Sequence, residues 1–207
     1  MNTHYHERSL VLLKPDTIQR GLVGEIITRF ENKGLKIVAM KMVWPTKKLT
    51  SEHYGWSEEE KRASGERTLA GYKEKGLDAP LGGDPIKIAE NTMRKLVSYL
   101  SAGPVIAIVI EGAHAIENVR KIRGGTNPLT ADIGSITADL TIDSYFVSDD
   151  ADRAVRNLVH ASGNTGEAER EIKLWFDTNE IHDYDLAIEK ILYDKDWEKT
   201  REKLVEA

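Results

Sequence analysis

The chain contains no cysteine, which excludes disulfides, thiolate metal sites and a cysteine nucleophile. A basic excess is also missing. The formal charge of −5 leaves nothing to neutralise phosphates along a duplex, although a local basic pocket for one small anionic ligand stays open. Long apolar runs are absent: the longest, Val105 to Ile110, is far too short to span a bilayer. Met1 to Arg8 is polar and has no apolar h-region, so no signal peptide is expected. These absences set the expectation of a cytoplasmic enzyme or binding protein. The 207 residues are 40% hydrophobic and 30% charged, the balance of a globular chain, with room for one domain plus an insertion or arm.

Hydrophobic periodicity divides the chain. Arg8 to Lys14 reads as a buried strand ending at Pro15-Asp16, and Gly21 to Lys33 as a helix with Val23, Ile26, Ile27 and Phe30 on one face, stopped by Gly34. Leu35 to Val43 reads as a second strand, followed by a short helical stretch containing His53 and Tyr54. Ser57 to Pro85 is polar and glycine-rich, and leads to a helix with Met93, Leu96, Val97 and Leu100 on one stripe. A strand at Pro104 to Glu111 precedes a helix carrying Ala115, Ile116, Val119 and Ile122. A fourth strand is expected near Ile142 to Val147, then a helix from Thr165 to Phe176. In the tail, Asp177 to Ala207, a stripe of Tyr184, Ile188, Ile191 and Leu192 is expected to pack onto the body. The order β-α-β, insertion, β-α-β suits an α+β, ferredoxin-like antiparallel sheet with helices on one face, in a single domain of residues 1–207. A doubly wound parallel sheet is the rival.

Few residues carry chemistry in this pattern. Of six histidines, His4, His6, His53, His114 and His182 sit in polar contexts and read as solvated residues without a functional role. His160 follows the apolar pair Leu158-Val159 and precedes a helix start, the setting of a base or nucleophile as well as of a satisfied structural histidine. Glu171, inside that helix, is a candidate to hold one ring nitrogen and leave the other nitrogen's lone pair free. Lys14 ends an apolar run, either functional or snorkelling to the surface. Arg120 and Arg123 share a helix face before Gly124-Gly125-Thr126, a candidate phosphate clamp or a solvated basic helix end. P-loop, dinucleotide, HExxH and GxSxG motifs are absent, and no dedicated metal-ligand set is expected.

At these residues the sequence resembles the nucleoside diphosphate kinase family. The resemblance runs through Leu13-Leu-Lys-Pro-Asp-Thr-Ile-Gln-Arg-Gly-Leu-Val-Gly-Glu-Ile-Ile, Ser101-Ala-Gly-Pro-Val and Gly124-Gly-Thr-Asn-Pro. It continues in Arg156-Asn-Leu-Val-His-Ala-Ser and Ala168-Glu-Arg-Glu-Ile-Lys-Leu-Trp-Phe. It covers Glu7 to Phe176 apart from an insertion at residues 55–91. The resemblance implies that His160 is the phosphorylated nucleophile and Glu171 the carboxylate that orients it. Lys14, Arg120 and Thr126 match phosphate-contacting residues, Lys14 and Asn157 the pair reaching the sugar hydroxyls, and Tyr54 a tyrosine close to the active histidine. It further implies ping-pong transfer between nucleoside di- and triphosphates. Mg²⁺ would be held mainly by the nucleotide phosphates, and the assembly would be a tetramer or hexamer of one chain.

Three departures stand out. Gly134-Ser-Ile-Thr-Ala-Asp places Thr137 where the family has an arginine, and Arg123 stands where the family is aliphatic, so Arg123 is expected to take over the missing guanidinium's work. Ala161 and Gly163 replace a glycine and an aspartate, the latter associated with Mg²⁺. The insertion is expected to form a helical lid over the base through Trp56, Leu69 and Tyr72, with subunit packing as the alternative. Two rival functions are carried: a nucleotide-binding module of the same fold with weak catalysis, and a nucleic-acid-binding ferredoxin-like protein. The acidic charge disfavours the second.

Overall fold

Four runs of β-forming residues make one sheet in the computed structural model, which describes residues 5–74 and 76–199. They are β1 (His6–Leu13), β2 (Lys36–Val43), β3 (Val105–Ala113) and β4 (Val159–Ala161). The order is β2-β3-β1-β4 and every neighbouring pair is antiparallel, which is the ferredoxin-like arrangement and excludes the doubly wound one. Leu10 to Leu13 of β1 are all fully buried, because both sheet faces are covered rather than one. Val11 and Leu13 meet Ile26, Phe30 and Val119 on one side; Leu10 and Leu12 meet Leu100, Ile172 and Trp175 on the other.

The helices of the first half are α1 (Pro15–Gln19), α2 (Val23–Asn32), α3 (Lys47–His53), α4 (Glu58–Glu74) and α5 (Pro85–Leu100). Those of the second are α6 (Ala115–Arg123), α7 (Ile136–Leu140), α8 (Tyr145–Asp150), α9 (Thr165–Trp175) and α10 (Ala187–Tyr193). The expected apolar stripe buries Ile26 and Phe30 of α2, and Gly34 ends the turn after it at φ +83°. Pro15 opens the separate short helix α1, so α2 starts later than its periodicity implies.

The fourth strand lies elsewhere than expected. Ile142 is fully exposed and 145–150 is helical, since the Ser144 side chain accepts the Val147 N–H as an N-cap. Asp143 is diverted as well, holding the Arg153 guanidinium at 2.6 and 3.0 Å and the Arg156 N–H at 2.6 Å. The strand that closes the sheet is β4, whose middle residue is His160.

The insertion is the hairpin of α4 and α5. A Cβ at Gly65 would run into the Pro85 carbonyl, so only glycine permits this approach of the two helices. Tyr72 donates to Asp149 at 2.9 Å and Lys95 pairs with Asp152 at 3.0 Å, tying the hairpin to α8 and the turn after it. The tail meets the body along β2, mainly through hydrogen bonds rather than through burial of the expected stripe. Val38 is the extra residue of a bulge between Ile37 and Ala39; its carbonyl accepts the His182 N–H at 2.8 Å, and that of Ile37 the Tyr184 hydroxyl at 2.6 Å. Ile191 and Leu192 stay about half exposed, at 54% and 53%. His4 and the end of the tail lie outside the described residues.

Candidate active site

Strand alternation puts His160 at the centre of the site. Val159 and Ala161 enter the core on the α2 side, so His160 between them points to the opposite face, opposite Leu12 of β1 and under α3 and α9. There its Nε2 lies 3.1 Å from Oε2 of Glu171, which α9 delivers at 2% exposure. A carboxylate only accepts, so Nε2 carries the proton and Nδ1 keeps its lone pair. Ser162 completes the carboxylate's setting: it donates to the same Oε2 at 2.7 Å and accepts the Leu10 N–H at 3.1 Å, joining Glu171 to β1. Burial works to raise the Glu171 carboxyl, but the hydrogen bonds and charge of His160, the Ser162 bond and Arg170 outweigh it and hold it below the usual range.

Lys14 does not snorkel. It is 5% exposed and its Nζ donates to Asn157 Oδ1 at 2.6 Å, while Asn157 Nδ2 donates to the Thr126 carbonyl at 2.9 Å. The Lys14 N–H and the Thr17 hydroxyl both bond the Leu158 carbonyl, at 2.8 and 2.7 Å, which fixes the approach to β4. Burial brings the Lys14 ammonium down to about 8; Asp16 opposes this, and Arg123 and Arg156 reinforce it. Lys14 Nζ and the Arg156 guanidinium both sit over the Tyr99 ring, 5.1 and 4.2 Å from its centre.

Tyr54 is buried, with its ring 6.4 Å from that of His160, and burial followed by the Glu171 charge pushes its phenol well up. Arg120 is exposed and lines a cavity of about 280 Å³ with Asn164 and Thr165. Thr126 is exposed too, and it is its backbone carbonyl that Asn157 holds. Arg123 is half-buried, and its Nε is enclosed without a hydrogen-bond partner. Burial and the neighbouring Arg120 lower its guanidinium. Thr137, 1% exposed, donates its hydroxyl to the Arg123 carbonyl at 2.8 Å. Among the described residues, none of Lys14, Arg120, Arg123 and Arg156 is ion-paired to a carboxylate, an arrangement suited to a polyanionic ligand.

Sequence reasoning misjudged His53. It is 2% exposed, and its ring packs edge-on against His160 with centroids 4.4 Å apart. Trp175 Nε1–H donates to its Nδ1 at 3.3 Å. Burial first, then His160, Arg170 and Lys14, hold the ring well below its usual titration range, so it is neutral. The available signal was Leu49 and His53 at i, i+4 on one helix face. Ser162, Arg156 and Tyr99 lay inside or beside the quoted motifs but were given no role. In the insertion, Leu69 and Tyr72 line a cavity with Leu77 and Ala79 at the C-terminal end of α4, and Trp56 is half-buried. At Gly163 a Cβ would lie 2.7 Å from Glu167 Oε2, so a carboxylate fills the space a side chain there would enter.

The chain matches the family described as nucleoside diphosphate kinase over residues 7–65 and 87–181, and the unmatched stretch between these two blocks is narrower than the expected insertion. It is 46% identical over 178 residues to the nucleoside diphosphate kinase of Pyrobaculum aerophilum, covering 84% of this chain and 97% of that one. It is 42% identical over 181 residues to that of Pyrococcus abyssi, covering 87% and 91%. Among solved structures it superposes on an NDP kinase from Pyrobaculum aerophilum with a TM-score of 0.82 and 43% identity, covering 86% and 100%. A transition state mimic of the Borrelia burgdorferi nucleoside-diphosphate kinase with bound vanadate and ADP gives 0.74 and 31% identity, covering 91% and 98%. The chain therefore belongs to the nucleoside diphosphate kinase family.

Proposed function

We propose that the protein moves the γ-phosphate of a nucleoside triphosphate to a nucleoside diphosphate by way of phosphorylated His160. The observation that carries this reading is the His160–Glu171 hydrogen bond, which leaves Nδ1 of the nucleophile with its lone pair. Nδ1 of His160 attacks the γ-phosphorus, the bond from phosphorus to the β–γ bridging oxygen breaks, and the nucleoside diphosphate leaves. The positive charge that develops on the imidazole is stabilised through Nε2–H by Glu171. A second diphosphate then attacks the phosphohistidine with a terminal β-phosphate oxygen and carries the group away. Lys14, Arg120 and Arg123 bind the phosphates electrostatically, with Thr126 beside them, and Lys14 with Asn157 reaches the sugar hydroxyls. Tyr54 walls the nucleophile.

The donor set fits a Mg²⁺ that arrives on the nucleotide. The cations of the site offer it no ligands, and Glu167, a carboxylate at the turn after His160, is already engaged by the Gly163 N–H at 2.8 Å and Asn164 Nδ2 at 3.0 Å. When bound to the phosphates, Mg²⁺ neutralises charge on the transferring group. A homo-oligomer, tetramer or hexamer, is supported by the second half of edge strand β2, beyond the tail's bonds to Ile37 and Val38, which exposes Met40 and Met42 and is followed by exposed Trp44. No helix among the described residues is long and apolar enough to cross a membrane, in keeping with work on cytoplasmic nucleotides. A coupled assay with ATP, Mg²⁺ and an acceptor diphosphate tests the reading. Steady turnover obeying ping-pong kinetics is expected; nucleotide binding without turnover would leave the binding-module reading.

A further inference from the structure

Glu171 presents its two oxygens to different neighbours. Oε2 takes the bonds from His160 and Ser162, whereas Oε1 lies 3.8 Å from His53 Nδ1 and 3.8 Å from Arg170 Nη2. Because an indole N–H can only donate, the Trp175 contact shows that His53 Nδ1 bears a lone pair and that the proton of the neutral ring sits on Nε2, which has no partner. His53 Nδ1, whose lone pair takes the Trp175 N–H, and a carboxylate oxygen thus lie 3.8 Å apart in buried surroundings with no proton on either. Two acceptors in that relation repel each other, and a cation between them turns the repulsion into ligation.

His160 adds the third donor. One ligand atom from each of His53, His160 and Glu171 lies within 4.8 Å of the others, although none of the three reads as a metal ligand in the sequence. We propose that His53, Glu171 and His160 form a site for a divalent d-block cation of the zinc class, and that its occupancy opposes phosphorylation of His160. Two imidazoles and one carboxylate are a zinc donor set, with bonds of about 2.0–2.2 Å that a modest contraction of this triangle reaches. Mg²⁺, which takes oxygen donors in an octahedron, does not compete for it. The cation enters along His160, whose side chain is 17% exposed, since that of His53 is wholly enclosed.

Binding at Nε2 moves the His160 proton to Nδ1 by exchange with solvent, so the ring stays neutral and the attacking lone pair is capped, and it replaces the His160–Glu171 hydrogen bond by two metal bonds. It also requires the Trp175 N–H to give up His53 Nδ1, which sets a limit on affinity. The antagonism rests on the phosphohistidine reading above. A metal on Nε2 withdraws electrons from the ring and removes Glu171 as the partner of its developing charge. A ring already phosphorylated on Nδ1 keeps Nε2–H turned to Glu171 and offers the cation no lone pair.

Titration of metal-free protein with Co²⁺, without nucleotide, tests the site. An intense visible d–d spectrum of low coordination number, at one ion per chain and displaced by Zn²⁺, is expected; a weak six-coordinate spectrum or none overturns the proposal. His53→Phe and His160→Gln should each weaken Co²⁺ binding at least about tenfold, and wild-type affinity in both overturns it. His160 is partly exposed, so His160→Gln carries this arm if His53→Phe fails to fold. Protein first phosphorylated with ATP should bind Co²⁺ at least about tenfold more weakly, and equal binding overturns the antagonism. If no phosphoenzyme forms at all, it is the proposed function that fails, and the Co²⁺ spectrum still decides the site.

Discussion

Lys14 Nζ donates to Asn157 Oδ1 at 2.6 Å inside the protein, and neither group is paired with a carboxylate. The ammonium, lowered by burial to about 8, therefore loses its charge as pH rises through that value in the free protein. We expect kcat/KM for nucleotide to fall above pH about 8. Bound phosphates raise the ammonium again, so the corresponding limb in kcat lies at higher pH. Lys14→Arg keeps its charge and should remove the limb. For stability, the depressed lysine means that the unfolded chain binds more protons between about 8 and its ordinary 10.5, so this group's penalty is full below the window and fades as pH rises through it. A kcat/KM profile that stays flat through the window would show that Lys14 does not serve binding as a charge.

Glu171→Gln should slow phosphorylation of His160 about 10- to 100-fold without abolishing it. The amide still accepts from Nε2–H and from Ser162, but it lacks the charge that stabilises an imidazolium. The single-turnover rate with excess ATP is the measurement, and a rate equal to wild type would reduce Glu171 to a packing residue.

Arg123→Leu should lower kcat/KM for ATP by about 10- to 100-fold, the loss of one charge-assisted bond of about 1.5–3 kcal/mol. The half-buried guanidinium has an enclosed, unpartnered Nε, and Thr137 bonds its carbonyl rather than reaching toward phosphate. Unchanged kinetics in Arg123→Leu would leave the compensation for Thr137 without support.

Gly65→Ala should destabilise the α4–α5 hairpin by about 1–3 kcal/mol, because the added methyl meets the Pro85 backbone rather than a movable side chain. Local hydrogen exchange in residues 58–100 would rise while the sheet stays protected. Protection equal to wild type would mean that the helices separate at no cost.

The sheet was legible wherever an element is long and buried on both faces: Leu10 to Leu13 and Val105 to Ile110 announce β1 and β3 without any alternation. The stripes of α2 and α9 were equally plain. The closing strand was not. β4 is a three-residue strand, too short to display a period, while Ile142 to Val147 has strand-like composition that a Ser144 cap converts to helix. His160, Glu171, Lys14 and Asn157 were found through motif resemblance, and their spatial convergence follows from β4 pairing with β1. His53 was missed because its neighbours in sequence are polar; its burial comes from Trp175 and His160, more than a hundred residues away, which no local pattern reports.

A covalent phosphate on His160 is read out by incubating the protein with γ-labelled ATP and Mg²⁺. Wild-type protein is expected to take up label in a form lost in acid and stable in base, added nucleoside diphosphate to discharge it, and folded His160→Ala to take up none. Label that survives acid, or that appears undiminished on His160→Ala, would contradict a covalent phosphate on His160.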